Sequence, residues 1–538
     1  MLMASDHLPL VGDRIVPRNG FRWLAQHKYY LAIGALGAGV VGWNLYRACQ
    51  LSITHDEALT YLYYVAKGPR SICSREGYCA NNHILYSLLA WCSVQLFGVS
   101  EFALRLPSVL AGGLFVLGAG RLFGQLAGRT LLAWTGVLVL TLNPLIMDFL
   151  VAARGYGLGL TLSIWAWSCL VATLAAVDGP ASRKTQMLNW LASGTVMGLA
   201  VGANLTFLFP NLTLAIAFLG VKLGTDRINR VTALRDFVLW FAVPGALWTA
   251  LLCYPVIRHV AAAGSSNAGA TDAHFYYGSA SFFQTTQSIL VPMLQAVPEK
   301  SWLPLAANDP AWTAITYGVM IAFFALLAPL LYVLHRLIRN PQSRDDEWSR
   351  QYALLAGGAA GLLGLLWLLN TCKGTPLPRD RTGLYFAPLM LALLVLIVGK
   401  CQKMGGWIAS TSKVVPLLLL ALAAHFATQA QADFFYVWRY DAGTKRAYHH
   451  FADEAENHHR SLRVGYEWIF EPGLVFYRQL SGREIFSASL CTMASSAEPF
   501  DGYYLGGDTA LQWEAAGKLR VIWRDPISGA KIAVPRSP

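Results

Sequence analysis

Charged residues are scarce in this chain of 538 residues. Asp, Glu, Lys and Arg make up 13% of it and hydrophobic residues 55%, whereas a soluble globular domain carries about 25% charged residues. The mean hydropathy is +0.42. Apolar runs of roughly 20 residues recur along the chain, the length that crosses a bilayer core of about 30 Å. The composition therefore excludes a soluble globular protein and predicts a polytopic membrane protein.

The sequence also lacks repeats and long low-complexity segments. Membrane transporters commonly carry inverted repeats and broken helices near the bilayer midplane. No paired half-helices are evident here, and the charged residues lie at the ends of the apolar runs instead. A transporter or lipid flippase is therefore the alternative, and a membrane-bound enzyme is favoured.

Eleven membrane-spanning helices are predicted, so the fold class is an all-α polytopic membrane protein. The spans lie at about 29–49, 102–121, 130–150, 155–176, 189–205, 207–222, 237–257, 312–335, 352–370, 383–400 and 413–431. The first span could be mistaken for a signal peptide, but it is too long for one. Asn44 and Arg47 make its C-terminal end polar, which indicates a membrane anchor that is not cleaved from the protein.

The net charge of +12 could indicate a nucleic-acid partner, but the positions of the basic residues favour another explanation. Lys and Arg are concentrated in alternate connections, where they hold cytoplasmic loops against anionic lipid. They are Arg14, Arg18, Arg22, Lys28, Arg121, Arg129, Arg183, Lys184, Lys222, Arg227, Arg230, Arg235, Arg336, Arg339, Arg344, Arg350, Lys400, Lys403 and Lys413. We therefore expect a cytoplasmic N-terminus, contact with the lipid bilayer and no nucleic acid as partner.

Three segments are then expected outside the cytoplasm: the loops 50–101 and 258–311, and the tail. Residues 1–431 would form the transmembrane module and residues 432–538 a separate C-terminal domain. The tail is more polar, with turn signals such as "EPG", "LSGRE" and "GGD", and its stretches "RVGYEWIF" and "KLRVIWRD" have the composition of strands. These patterns predict a small extracytoplasmic α/β domain of about 100 residues.

Cysteine is infrequent, and most of the nine cysteines lie in or near the spans, where they are expected to pack. Cys73 and Cys79 differ, because "CSREGYC" lies in the first external loop. An oxidising compartment permits a disulfide between them. A metal pair is the alternative, but no matching second pair of ligands is evident.

The stretch "ITHDEALTYLYY" from Ile53 places His55, Asp56 and Glu57 in a row directly after the first span. A structural explanation is available. Thr54 and Glu57 fit a capping box at the start of a helix. The helix dipole would stabilise the negative charge of Asp56 in the first turn. The stretch "EALTYLYYVAKG" fits an amphipathic helix that lies on the membrane surface. A functional explanation uses the same geometry, because a helix start would hold Asp56 where a lipid headgroup and an aqueous acceptor meet. Ionisable residues at such depth are costly and commonly functional.

Four further motifs follow the Asp56-Glu57 pair in order. They are "NNHILYSLL" from Asn81, "LFGVSEFALRLPSVLAGG" from Leu96, "AARGYGLGL" from Ala152 and "PRDRTGLYFAPLM" from Pro378. Together they resemble the membrane glycosyltransferases of the GT-C fold, in particular bacterial relatives of the protein O-mannosyltransferases and of the lipid A aminoarabinose transferase. The resemblance covers roughly residues 30–400. The tail from 432 resembles no family.

The resemblance implies transfer of a sugar from a polyprenyl-phosphate donor to a glycan, lipid or protein acceptor. The reaction would take place on the outer face of a bacterial inner membrane. The carrier phosphate leaves as a stabilised anion, so one carboxylate suffices to accept the proton of the acceptor hydroxyl. A glycosidase normally needs two carboxylates at a defined separation. Asp56 is the predicted base, whereas Glu57 would cap the helix, orient a partner or hold a metal.

Metal dependence stays open at this point. No cofactor is certain, because arginines alone can handle a monophosphate donor. A divalent ion, Mg²⁺ or Mn²⁺, would be needed for a diphosphate donor, and Asp56 and Glu57 are its candidate ligands. A catalytically inactive scaffold of the same fold is a third possibility, against which the intact Asp56 argues.

Several residues are candidates to bind the leaving phosphate or the substrate. The cations are Arg154, Arg258, Lys373, Arg379 and Arg381, and His55, Asn82, His83 and Tyr156 complete the set. Arginine matches phosphate through bidentate donors. Structural alternatives exist for some of them: Arg154 could pair with Asp148, His83 could be a hydrogen-bonded structural residue, and Asn82, like Asn81, could cap a helix.

Two further features also have two explanations each. Arg105 is expected to form a structural ion pair with Glu101 or to anchor its helix at the membrane interface. The aromatic stretch "HFYYGSASFF" could stack on sugar rings or belong to an interfacial aromatic belt.

The predicted topology is directly testable, because eleven spans that begin in the cytoplasm end outside it. Alkaline phosphatase fused after residue 538 should be active, since that enzyme needs an oxidising compartment. The same fusion placed in the connection between the second and third spans should be inactive. An active cytoplasmic reporter at residue 538 would contradict the topology.

Overall fold

The computed structural model describes residues 18–74, 82–175, 183–225, 230–263, 278–306, 308–339, 346–482, 489–490 and 500–536. Helices dominate the region up to residue 431. They are α1 Arg18–Gln50, α2 His55–Thr60, α3 Pro69–Ile72, α4 Ile84–Phe97, α5 Glu101–Ala127, α6 Leu131–Leu142, α7 Pro144–Phe149, α8 Gly155–Ala175, α9 Arg183–Ala203, α10 Leu208–Thr225, α11 Arg230–Phe237, α12 Val243–Ala263, α13 Phe282–Leu294, α14 Ala311–Leu327, α15 Leu330–Arg339, α16 Glu347–Lys373, α17 Phe386–Cys401, α18 Gly406–Ser412 and α19 Val415–Thr428.

The apolar runs form the long helices, as predicted. Eight helical segments in the described ranges are long and apolar enough to cross a membrane: Glu101–Ala127, Gly155–Ala175, Leu205–Thr225, Arg230–Pro255, Ala311–Arg339, Glu347–Lys373, Asp380–Cys401 and Gly406–Thr428. Large apolar side chains such as Leu247, Ile321 and Leu418 stay exposed on these helices, as expected for a surface that faces lipid. The other three predicted spans lie on α1, on α6 with α7, and on α9, and the count of eleven remains a prediction.

One predicted span, 130–150, is interrupted. The helix stops at Leu142 and a new one begins at Pro144, because proline has no N–H to continue the hydrogen-bond ladder. The Asn143 side chain caps the new helix by accepting hydrogen bonds from the N–H groups of Leu145 and Ile146 at 3.1 and 3.2 Å. The break turns the chain toward the segment that carries Arg154.

The connection after α1 contains the predicted capping box. Glu57 N–H donates to Thr54 Oγ1 at 3.2 Å, and Thr54 N–H donates to the Glu57 carboxylate at 2.9 Å. This box begins α2, which continues as a π-helical turn over Tyr61–Val65. Cys79, the predicted disulfide partner of Cys73, lies outside the described residues.

The tail folds as the small α/β domain that the sequence predicts. Its helices are α20 Thr444–Asn457, α21 Glu471–Ser481 and α22 Gly507–Ala515, and its strands are β1 Val464–Tyr466, β2 Ser489–Leu490, β3 Gly502–Leu505, β4 Leu519–Arg524 and β5 Lys531–Pro535. The strand order is β2-β1-β3-β5-β4. β1 pairs in parallel with β2 and β3, whereas β5 pairs antiparallel with β3 and β4.

Both stretches predicted as strands contain strands, β1 and β4. The prediction of turns at "EPG" and "GGD" was wrong, because these residues lie at the starts of the helices α21 and α22. Proline is favoured in the first turn of a helix, and Pro472 occupies that position in α21. The glycine in "LSGRE" does end a helix: Gly482 takes the left-handed conformation directly after α21.

The tail domain packs on the connection that carries Asp56. Ile53, Tyr86 and Leu104 share one buried cluster with Phe451 and Phe476 of the tail. Within this interface the Tyr477 hydroxyl accepts a hydrogen bond from Ile53 N–H at 2.8 Å. The same hydroxyl donates to Glu101 at 3.1 Å. The first residues after α1 are therefore held between the helix bundle and the tail.

Candidate active site

Three segments that precede or begin helices meet around Asp56. Asp56 lies in the first turn of α2, Arg154 directly precedes α8, and Arg381 lies in a 3₁₀ turn, Asp380–Gly383, just before α17. A fourth segment, between α19 and α20, contributes Trp438. The charged residues therefore converge at the ends of the helices, as expected for chemistry at a membrane surface.

Asp56 and Arg381 form an ion pair, with 3.2 Å between Oδ2 and the guanidinium. The side chains are 13% and 18% exposed, so the pair is sheltered but not sealed. The Arg381 guanidinium also lies over the rings of Trp438 and Tyr156, at 5.3 and 5.9 Å from their centroids. Arginine combines ion pairing and stacking well because its guanidinium is planar and weakly hydrated.

Arg154 also contacts the Asp56 residue and is 1% exposed. Its guanidinium donates to the Thr60 hydroxyl at 2.9 Å and to the Asp56 carbonyl at 3.5 Å. The glycines of "AARGYGLGL" allow this close packing. A Cβ at Gly155 would lie 1.8 Å from the Ala203 carbonyl oxygen, and one at Gly157 would lie 2.0 Å from the Phe149 carbonyl oxygen.

Burial alone would raise the pKa of Asp56, but the nearby charges outweigh it. The guanidiniums of Arg154 and Arg381, and a hydrogen bond from the Trp438 side chain, hold the pKa below its ordinary value. Asp56 is therefore a carboxylate at neutral pH. Two cations beside one carboxylate leave a net positive charge, which suits an anionic ligand.

His83 and Tyr156 complete the wall of the site. The two rings meet edge to face at 5.1 Å, and His83 is buried. Burial lowers the pKa of His83 well below its ordinary value, and the charges of Arg154 and Arg381 lower it further. The imidazole is therefore neutral. Its Nε2 atom has no hydrogen-bond partner among the described residues, so it can serve a substrate as a donor or as an acceptor.

Glu57, predicted beside Asp56 as a residue that caps the helix, orients a partner or holds a metal, lies in a buried ion pair separate from the Asp56–Arg381 pair. The side chains of Glu57 and Arg105 are fully buried and form a bidentate pair, with Oε1–Nε at 2.9 Å and Oε2–Nη2 at 2.7 Å. Glu57 also accepts hydrogen bonds from Thr54 N–H and, at 2.6 Å, from Ala153 N–H. Its role is to cap α2 and to orient Arg105.

Two predicted ion pairs have other partners. Arg105 pairs with Glu57 and not with Glu101, whose carboxylate lies 2.9 Å from Lys445 of the tail. Asp148 pairs with Arg47 at 2.5 Å and so is not the partner of Arg154. The chain folds Arg154 toward Asp56 instead, which favours a role in the site.

Two other predicted site residues have structural contacts. Asn82 uses both ends of its amide, donating to the Ile72 carbonyl and accepting from the Ser87 hydroxyl, each at 3.0 Å. A role for Asn82 in binding substrate is therefore not supported. His55 joins α2 to the tail: its ring contacts the Ile469 carbonyl at 2.7 Å, and its backbone N–H donates to the Asp441 carboxyl group at 2.7 Å.

Two of the other candidate cations are more exposed than Arg154 and Arg381. Arg379 is about half exposed and lies 3.6 Å from Asp380, and Lys373 is exposed in the last turn of α16. The backbone at Asp380 takes a left-handed conformation with φ of 45°, which Asp tolerates better than most residues. Arg379 and Arg381 therefore lie on either side of a sharp turn. Arg258 belongs to α12, and its side chain is outside the described part.

A divalent metal held by Asp56 and Glu57 does not fit this arrangement, because both oxygens of Glu57 face Arg105 and backbone N–H groups. Among the described residues, no group of three or more His, Cys, Asp or Glu side chains is placed to hold a metal ion.

Sequence reasoning missed the contribution of the tail. Trp438 contacts both Asp56 and Arg381, and Asp441 lies against His55. Burial raises the pKa of Asp441 well above its ordinary value, and the neighbouring carboxylates of Asp56 and Glu57 raise it further. The aromatic run "FFYVWRYD" directly after the last span was a usable signal, because aromatic residues concentrate at membrane interfaces.

No protein-family model matches this chain, and no curated protein matches its sequence. Solved structures do match. ArnT from Cupriavidus metallidurans bound to undecaprenyl phosphate is 14% identical over 94% of this chain and 98% of its own, with a TM-score of 0.40. The apo structure of that protein covers 95% and 98% of the two chains, at 14% identity and a TM-score of 0.44.

A second protein also matches. The archaeal oligosaccharyltransferase AglB from Archaeoglobus fulgidus, in complex with an inhibitory peptide and a dolichol-phosphate, is 12% identical over 84% of this chain and 64% of its own. The TM-score is 0.46. ArnT and AglB are membrane glycosyltransferases of the GT-C fold, the group that the sequence motifs resemble.

Disrupting the buried Glu57–Arg105 pair should lower the stability of the fold. Glu57→Gln leaves a buried guanidinium without its counter-charge, which typically costs about 3 to 5 kcal/mol. We expect a clearly lower midpoint of thermal unfolding for this variant in detergent. The double variant Glu57→Gln/Arg105→Met should recover part of the loss, because no unpaired charge remains.

The exposed pair of Arg460 and Asp501, at 2.9 Å, provides the matched control. Arg460→Met should change stability by about 0 to 1 kcal/mol, as for surface ion pairs in general. If Glu57→Gln unfolds at the same temperature as Arg460→Met, the buried pair does not stabilise the fold.

Proposed function

We propose that this chain is a membrane glycosyltransferase that moves a sugar from a polyprenyl-phosphate carrier to an acceptor hydroxyl, with Asp56 as the general base. The observation that carries the proposal is the convergence of one ionised carboxylate with Arg154 and Arg381 at the ends of the helices. The sequence motifs that resemble GT-C glycosyltransferases supply three of its parts: the Asp56-Glu57 pair, "AARGYGLGL" and "PRDRTGLYFAPLM".

The charges suit departure of a phosphate. When the bond between the sugar and the carrier breaks, negative charge accumulates on the phosphate oxygens, and preorganised cations stabilise that charge in the transition state. Among the described residues, the guanidiniums of Arg154 and Arg381 lie beside Asp56. Because the leaving group is a stable anion, the reaction needs no second carboxylate as a general acid, and Glu57 is free for its structural role.

Arg381 has a second task in this proposal. Without donor it pairs with Asp56 and lowers the basicity of the carboxylate. A donor phosphate would attract Arg381 away from Asp56, which raises the pKa of that carboxyl. Asp56 would therefore become a better base only when the donor is bound, and this limits proton abstraction in the empty site.

Asp56 would accept the proton of the acceptor hydroxyl while the hydroxyl oxygen attacks the anomeric carbon. Trp438 holds the carboxylate through its hydrogen bond, and neutral His83 supplies a nitrogen to the substrate. The acceptor would be a glycan, lipid or protein on the outer face of a bacterial inner membrane, with the C-terminus on that face. The arrangement fits a polyprenyl-phosphate donor and sugar transfer to a hydroxyl group. The experiment below would identify the sugar.

The alternative, a transporter or flippase, has weaker support. Asp56, Arg154 and Arg381 all lie at helix ends, whereas a transported substrate binds near the midplane of the bilayer between broken helices. A catalytically inactive scaffold would not require an ionised carboxylate between two arginines. The experiments below distinguish these possibilities.

Asp56→Asn should abolish transfer while the protein still folds and binds its donor. The amide is nearly isosteric but cannot accept the proton, and loss of a general base typically costs about 10² to 10⁴ in rate. Mass spectrometry of lipids that co-purify with the variant should show an intact polyprenyl-phosphate sugar, which also identifies the sugar. The wild type should retain less of it, since it turns the donor over.

Asp453→Asn is the matched control, because Asp453 is an exposed carboxylate on α20. This variant should transfer sugar like the wild type. Easily measured transfer by Asp56→Asn would mean that the base lies elsewhere. A bound lipid-linked sugar with no transfer by the wild type to any acceptor fraction would instead favour a transporter or scaffold.

Arg381→Gln should move the acid limb of the pH profile. Activity requires the carboxylate form of Asp56, so it is lost as the pH falls through the pKa of Asp56, which Arg381 helps to hold below the ordinary value of about 3.9. Removing the guanidinium raises that pKa, and kcat/KM should therefore decline at a higher pH. Arg379→Gln, on the exposed side of the same turn, should leave the limb in place. Identical limbs in both variants would contradict the pairing with Asp56.

A further inference from the structure

A groove of about 450 Å³ lies between α1, the α6–α7 break and α19. It is separate from the candidate active site, because Asp56, Arg154 and Arg381 do not line it. Small side chains form part of its walls, among them Ala35, Gly39, Pro144, Ala427 and Ala430, and larger apolar side chains such as Leu36 and Phe426 form much of the rest. Ala35, Gly39 and Ala427 are exposed, so the groove opens on a surface of the helix bundle that faces lipid.

One end of the groove is polar. Arg47 and Gln429 line it and are 2% and 1% exposed. Within the described part of the chain, Arg47 Nε and Gln429 Nε2 have no hydrogen-bond partner. Buried donors without an acceptor are costly and uncommon in folded proteins. These two N–H groups therefore point to a ligand that carries an acceptor oxygen.

The charge of Arg47 is already neutralised. Asp148 lies 2.5 Å from its guanidinium, and the Gln429 Oε1 atom accepts a hydrogen bond from Val297 N–H at 2.9 Å, which directs Nε2 the other way. A phosphate at this position would meet the Asp148 carboxylate. An uncharged carbonyl oxygen fits the two remaining donors better.

The position of the groove along α1 agrees with a lipid carbonyl. Trp43 lines the groove and packs against Tyr46, which is exposed, with 5.8 Å between their ring centroids. Trp and Tyr concentrate at the level of the lipid headgroups. Arg47 lies one turn beyond Trp43, close to the end of α1, so the donors lie where acyl linkages meet the apolar core of a bilayer.

We propose that this groove binds one acyl chain of a membrane lipid, whose ester or amide carbonyl accepts hydrogen bonds from Arg47 Nε and Gln429 Nε2. The small side chains leave room for the chain, and the Arg47–Asp148 pair provides a donor without net charge. The proposal does not depend on the glycosyltransferase function, because it concerns a different surface and a different chemical group.

The chemistry of the linkage can be tested on the unmodified protein. Delipidated protein in detergent is titrated with dioleoyl phosphatidylethanolamine and with its diether analogue, which has the same headgroup and chains but no carbonyls. Native mass spectrometry should show one tightly bound diester lipid. The diether should bind about tenfold more weakly, since two hydrogen bonds are lost. Equal binding of the two lipids would overturn the assignment of the carbonyl.

A third lipid separates the carbonyl from the headgroup. Dihexadecyl phosphate carries a phosphate and two chains but no carbonyl, so it should bind as weakly as the diether. If it binds as tightly as the diester, the ligand is a phosphate and the proposal fails. Gln429→Glu removes the Nε2 donor and keeps the Oε1 acceptor for Val297, so it should weaken diester binding and reduce the preference over the diether.

Two glycines on α1 give a matched pair of variants for the groove itself. A Cβ at Gly39 or at Gly42 would meet no atom within 4 Å, but only Gly39 lines the groove. Gly39→Phe should fill the groove and remove the bound diester lipid, whereas Gly42→Phe should retain it. Both variants should keep sugar transfer by the purified enzyme measurable. Full retention of the lipid by Gly39→Phe would show that the groove is not its site.

Discussion

The buried pair of Glu57 and Arg105 is the interaction on which the candidate site depends. Arg105 has five N–H donors, and each has an acceptor: two go to the Glu57 carboxylate and three to the carbonyls of Ala48, Leu51 and Ser52. One side chain of α5 therefore fixes the end of α1, the connection that follows it and the start of α2.

The same pair also positions the second arginine. Glu57 accepts the Ala153 N–H at 2.6 Å, so the residue before Arg154 is attached to the carboxylate that begins α2. Asp56 and Arg154 are thereby brought together by groups one position away from each. The two adjacent carboxylates have different tasks for a physical reason: Glu57 points into the bundle, where a full set of donors compensates its charge, and Asp56 points into the sheltered space beside Arg381.

The tail does more than cover this site. Trp438 is almost fully buried and lies between Asp56, Arg381 and the aromatic ring of Phe149. Phe435, three residues earlier, lies under the guanidiniums of both Arg47 and Arg105, at 5.5 and 5.1 Å. One aromatic segment therefore connects the lipid groove, the buried ion pair and the carboxylate.

The sequence by itself determined the membrane character, most of the long helices, the capping box at Thr54 and Glu57, and the small α/β tail. These features depend on composition and on residues near each other in the chain, where periodicity and capping chemistry act directly. The sequence also indicated Asp56, Arg154 and Arg381 as site residues. It could not assign the partners of Glu57, Arg105 and Asp148, because several opposite charges were available to each.

Only the tertiary structure decided those pairings. Arg105 meets Glu57 across 48 positions of the chain, and Arg47 meets Asp148 across 101. Such contacts depend on how the helices pack, and helix packing brings together residues that no local pattern relates. The same holds for Trp438, which lies hundreds of residues from Asp56 in the chain and reaches it only because the tail returns to the end of α1. The sequence supplied the chemical groups, and the packing of helices and tail selected which of them face each other.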